Sequence, residues 1–90
     1  MLQNVITKEF IERFNALNNA IADVYIKHIL YGNQKIKKCI LHPLVDGDCI
    51  GLIINEEKIY ITMDELSDAN IRDTECIIKS EVMELYINLL

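Results

Sequence analysis

Two histidines, three cysteines and fourteen carboxylates are the side chains through which this 90-residue chain could do chemistry, and their spacing decides which. Cys39-x-x-His42 has the look of a metal pair. On a regular strand, however, residues three apart face opposite sides, so the two cannot share one ion. Cys49 shares a face with His42 in the expected register, but third and fourth ligands are missing. Asp46-Gly47-Asp48 lacks the further carboxylates of a calcium loop, and Asp68-Ala69-Asn70 is followed by no glycine or closing Glu at the right distance. A Cys or Ser nucleophile needs a base and an oxyanion site. His28 falls on an apolar stripe, where a packed or end-capping role is the usual one. His42 falls beside Gly51 and Thr62, and the residues do not assemble a triad. With only three glycines there is no phosphate-cradling loop. These residues lead us to expect no enzyme, no metal and no cofactor.

The charges say more. Residues 1–45 carry six Lys and Arg against three acidic residues, or +3, while residues 46–90 carry three against eleven, or −8. Phosphate contacts need cations, so the acidic half argues against direct nucleic-acid binding. It is compatible with docking onto a basic protein. The cluster Lys35, Lys37, Lys38 leads into an expected strand, where Lys discourages strand addition.

Stepping along the chain, Thr7 reads as an N-cap. Phe10, Phe14, Leu17, Ile21, Val24 and His28 follow at alternating steps of four and three, which predicts a helix over 7–31 ended by Gly32. Its second half, Val24 to Tyr31, is apolar nearly all round and needs protein on every side. Strands are expected at about 36–44, 49–55 and 58–62. Asp46-Gly47 reads as a type I′ hairpin turn and Glu56-Glu57 as a second turn. In that register Leu41 opposes Leu52, Cys39 opposes Ile54, Leu52 opposes Ile61, and Ile54 opposes Ile59. One face then collects Cys39, Leu41, Pro43, Ile50, Leu52, Ile54, Ile59, Ile61 and Met63, with Leu41, Leu52 and Ile61 as its central row. The other face is mixed, with a row Ile40–Ile53–Tyr60.

Thr62-Met63-Asp64-Glu65 fits a capping box, and Asp68-Ala69-Asn70 reads as a loop. The tail reads as one helix from about 74, striped by Ile78, Val82, Leu85 and Leu89. The alternative is a strand over 75–79 and a helix over 81–90 capped by Ser80. The expected fold class is α+β: a long N-terminal helix, a three-stranded antiparallel meander and a C-terminal helix, in a single domain over 1–90.

A chain of this length builds a thin core, yet 51% of it is apolar, with sixteen Ile. Surplus apolar side chains end in interfaces. No apolar run reaches the roughly 18 residues of a membrane span. Met1-Leu2-Gln3-Asn4 lacks the build of a signal peptide. A cytoplasmic protein with three reduced thiols and no membrane contact is expected.

The function expected is that of a non-enzymatic protein-binding module, an adaptor or inhibitor that forms homo-oligomers, most simply a dimer. An acidic phage or mobile-element protein that blocks a nucleic-acid-handling enzyme would fit the −8 half. The contact residues expected are Asp46, Asp48, Glu56, Glu57, Asp64, Glu65 and Asp68, with the apolar Ile40, Ile53, Tyr60, Tyr25 and Ile29. A small-ligand sensor using His42, Gly51, Tyr60 and Thr62 at a subunit interface is the alternative.

Overall fold

The computed structural model describes residues 6–90, so Met1-Leu2-Gln3-Asn4 lies outside it. Helix α1 spans Lys8–Asn15 and starts where expected, with Thr7 Oγ1 accepting the Phe10 N–H at 3.0 Å. Phe10 and Phe14 are buried, their rings stacked 5.8 Å apart. The helix then stops, and the long helix over 7–31 does not form. Asn19, at φ 70°, takes the left-handed conformation that Asn tolerates, and the chain turns into strand β1, Ile21–His28. Along β1 Ala22, Val24 and Ile26 are buried and their neighbours are not, a period of two. The four-and-three spacing of Ile21, Val24 and His28 had matched a helix by coincidence, and Ile21 is exposed. β-Branched and aromatic residues at 24–26 favour the pleat, and ladders on both sides of β1 supply its hydrogen bonds.

Seven more strands follow: β2 (Gly32–Ile40), β3 (Pro43–Asp46), β4 (Cys49–Ile54), β5 (Glu57–Thr62), β6 (Leu66–Arg72), β7 (Glu75–Ser80) and β8 (Met83–Leu89). They form two antiparallel sheets, ordered β2-β1-β8-β7-β6 and β3-β4-β5. The fold is mostly β, which overturns the α-β-β-β-α expectation. The C-terminal helix is absent too. Cys76, Ile78 and Ser80, then Met83, Leu85 and Ile87, are buried alternately, while Val82 of the supposed helical stripe is exposed. The strand at 75–79 is therefore the reading the structure adopts. Ser80 caps no helix: its Oγ accepts the N–H groups of Val82 and Met83 and donates to the Met83 carbonyl, which holds the β7–β8 turn. Asp68-Ala69-Asn70 lies inside β6, and Thr62 precedes one 3-10 turn, Met63–Glu65, without a side-chain capping bond.

The meander exists as the smaller sheet, but its expected first strand, 36–44, is divided between the two. Residues 36–40 finish β2. Buried Leu41 bonds Ala20 and Asn19 through its backbone, and the carbonyl of His42 accepts from Ile53 as β3 begins. Both turns slide by one residue: Asp46 opposes Cys49, and Ile54 opposes Glu57. The rows are consequently Pro43–Leu52–Ile59 and Val45–Ile50–Ile61, not Leu41–Leu52–Ile61. A slide that moves the pairing by two residues keeps every side chain on its face, so Ile50, Leu52, Ile54 and Ile61 are buried as expected. The Ile40–Ile53–Tyr60 row is dismantled, since Ile40 opposes Ile21 in the other sheet and Tyr60 opposes Gly51. Turn chemistry also differs. Asn55 and Glu56, at φ 51° and 69°, form the turn with two left-handed residues, whereas Gly47 is not left-handed and its N–H is held by the Asp46 carboxylate at 2.7 Å.

The inner faces of both sheets and the apolar side of α1 meet in one core. Helix α1 packs against β3 and β6, the terminal strands on one side of the sandwich. Among the described residues, the opposite side, between β2 and β5, is left open.

Candidate functional site

The open side carries a groove of about 520 Å³ between β5 and the β1–β2 hairpin. Ile26, Ile59, Ile61 and Met83 contribute apolar lining, Glu57 and Glu65 line the groove at either end of β5, and Tyr31 and Val82 line it at the hairpin tip. The tip is the segment the sequence presented as an all-round apolar helix end. Ile29, Leu30 and Tyr31 form a three-residue loop closed by Gly32 at φ 80°. They are 72%, 78% and 85% exposed.

The tip is tied by backbone hydrogen bonds despite that exposure. His28 Nδ1 accepts the N–H groups of Leu30 at 3.1 Å and Tyr31 at 3.3 Å, and its ring lies 4.5 Å from that of Tyr31. Because Nδ1 is an acceptor for both, neutral His28 carries its proton on Nε2. The Ile29 N–H donates to Val82 O at 2.9 Å, which ties the tip to the β7–β8 turn. His28 Nδ1 and Ser80 Oγ are thus committed to the two turns. Among the described residues no group of three His, Cys, Asp or Glu could hold a metal ion.

The acidic residues singled out in the sequence do not form one surface. Asp46 and Asp48 sit at one end of the smaller sheet, near Asp64 and Glu65, because Met63 N–H donates to Asp48 O. Glu56 and Glu57 sit at the other end, the length of β4 away, or about 17–20 Å. Asp68 lies on the outer face of the larger sheet, opposite Lys79. Ile53 opposes Lys58 and is half-buried, while Ile40 and Tyr60 are exposed on different sheets. Of the expected apolar contacts, only Ile29 belongs to the tip and only Tyr60 lines the groove.

Tyr25 lies on the outer face of the larger sheet and pairs with Tyr86, ring centroids 6.0 Å apart. Lys27 Nζ stands 5.8 and 5.9 Å from the two rings, and Lys79 Nζ 5.7 Å from Tyr86. The Tyr86 hydroxyl donates to Glu84, and this bond pushes its pKa up to about 12 because ionisation would set two anions together. With Lys27, Glu84 and Lys79 in one row, this face is largely satisfied within the chain.

Gly51 does not form a trough with His42 and Thr62. It opposes Leu44 and Tyr60, and a Cβ there would overlap the Ile59 carbonyl and sit 2.6 Å from Tyr60 Cα. The three cysteines are free thiols. Burial pushes Cys76 up to about 12, and burial followed by the charge of Asp23 raises Cys39.

The groove is not legible in the sequence, since its walls come from strands distant in the chain. One local signal was available: three large apolar residues immediately before a glycine, between two β-prone segments. No protein-family model, curated protein or solved structure matches the chain.

Proposed function

We propose that this chain is a non-enzymatic protein-binding module whose contact surface is the β1–β2 tip and the groove beside it. The carrying observation is the exposure of Ile29, Leu30 and Tyr31 on a tip pinned by His28. Hairpin loops ordinarily take Asn, Gly or Asp, so Ile-Leu-Tyr is not a requirement of the turn. Burying one such side chain is worth about 1.5–3 kcal/mol, and a preformed tip gives up little freedom on docking. The divided carboxylates favour this end over an acidic surface. Glu81 lines the concavity beside Ile29 and Val82, where Lys27 is balanced by Glu84, so no excess of cations favours an anionic lipid surface and the apolar tip suits a protein partner with an apolar pocket.

The test compares the full chain with Leu30→Asp, a substitution outside the core, by crosslinking capture and by mass in solution. A bound protein, or a doubled mass, that depends on Leu30 supports the proposal. Identical bound proteins and identical mass for both chains would refute it.

A further inference from the structure

Helix α1 packs against the terminal strands β3 and β6, while β2 and β5 border the open side. β2 carries Lys35, Lys37 and Lys38 and is broken by a bulge, where Lys38 at φ 53° donates its N–H to Asp23. Lysines and bulges are what sheets use to discourage strand addition. β5 has no bulge and pairs evenly with β4 over six residues.

The phase of that pairing follows from three facts. The β4–β5 loop is Asn55-Glu56, so Ile54 and Glu57 flank it as a hydrogen-bonded pair. Ile53 N–H donates to His42, away from β5, and Met63 N–H donates to Asp48, toward β4. Alternation then directs the backbone groups of residues 57, 59 and 61 to β4. Those of Lys58, Tyr60 and Thr62 point outward, and no described strand pairs with them. Beside this edge lies the groove, with Ile26, Ile59 and Met83 among its apolar lining and Glu57 and Glu65 as its carboxylates. Lys58 is on the opposite face of β5 from Glu57 and Ile59.

We propose that β5 binds an extended peptide as a fourth, antiparallel strand of the smaller sheet. The segment places alternate apolar side chains into the groove, opposite Ile59 and Ile61, and basic side chains at its two ends, toward Glu57 and Glu65. Main-chain bonds to Lys58, Tyr60 and Thr62 provide the grip, and the groove and its carboxylates provide the selection. This rests on the protein-binding reading above and names the chemistry of its partner.

The probe is the peptide acetyl-Arg-Thr-Val-Thr-Val-Thr-Arg-amide, titrated into the full chain while backbone amide exchange is followed residue by residue. In the free protein the amides of Lys58, Tyr60 and Thr62 exchange quickly and those of Ile59 and Ile61 slowly. Saturating peptide slows the first three by tenfold or more. Peptide N-methylated at its three Thr residues, or ending in Glu instead of Arg, loses that protection. Lys58→Pro removes an outward N–H without touching the β4 ladder, Lys58→Ala controls for the lost charge, and only the proline substitution weakens binding at least tenfold. Should that variant fail to fold, the N-methylated peptide decides alone. Unchanged exchange, or binding that survives N-methylation, overturns the proposal even if a Leu30-dependent partner has been captured. Protection that appears with protein concentration alone also overturns it, in favour of a second copy on β5. Protection by the peptide without any Leu30-dependent partner supports strand addition and counts against the tip.

Discussion

Gly51→Ala tests the smaller sheet at the point where it has least room. The added Cβ would overlap the Ile59 carbonyl and stand 2.6 Å from Tyr60 Cα, both of them backbone. No rotamer relieves a clash with backbone, so β5 must move away from β4, disturbing a ladder that keeps Ile59 and Ile61 over the core. Forcing one extra carbon into packed protein costs about 1–3 kcal/mol, and a backbone obstacle places this case at about 3 kcal/mol or above. At about 4–8 °C per kcal/mol for a domain of this size, the melting temperature falls by about 12–24 °C. Gly47→Ala is the control. Nothing lies within 4 Å of its added Cβ and its φ is not left-handed. It stabilises by about 0.4–1 kcal/mol, because alanine restricts the unfolded chain more than glycine does. Thermal unfolding of the three proteins side by side gives the answer. Equal melting temperatures for Gly51→Ala and Gly47→Ala would refute the β4–β5 register and the close approach derived from it.

Two other substitutions or conditions read different parts of the fold. Glu56 occupies a left-handed position at φ 69° after Asn55, so Glu56→Gly creates the favoured Asn-Gly turn and stabilises by about 1 kcal/mol in urea unfolding. A loss of stability would place the turn elsewhere. Alkaline unfolding follows from Cys76 and Tyr86, both pushed up to about 12 in the folded chain, from 9.0 and 10.0. A raised acid contributes fully below its unfolded value and loses that contribution as pH rises through its folded one, so stability falls between pH 9 and 12. For buried Cys76 the loss is about 4 kcal/mol, and in Cys76→Ala the decline begins nearer pH 10.

Residue pattern alone was enough to read the start of α1 and the β4–β5 hairpin with its inward face, but not β3, since most of the strand expected over 36–44 belongs to β2. Those depend on local facts: Thr7 ahead of an apolar pair four residues apart, and strict alternation through Ile50, Leu52 and Ile54, which survives a slide of the pairing by two. The segments at 21–31 and 75–89 carried two periods at once. Val24 and His28 fit a helix as well as Ala22, Val24 and Ile26 fit a strand, and Ile78, Val82 and Leu85 overlap with Ile78, Ser80 and Leu85 in the same manner. Ladder partners decide between such readings, and β1, β7 and β8 find theirs only in one another and in β2 and β6. Gly32 does take the left-handed conformation expected of it, at φ 80°, but it closes a hairpin and not a helix, because what precedes it is β1. The groove was beyond local inference for the same reason. Its walls are β5 and the β1–β2 hairpin, some thirty residues apart, brought together because both sheets share one core and α1 closes only the other side.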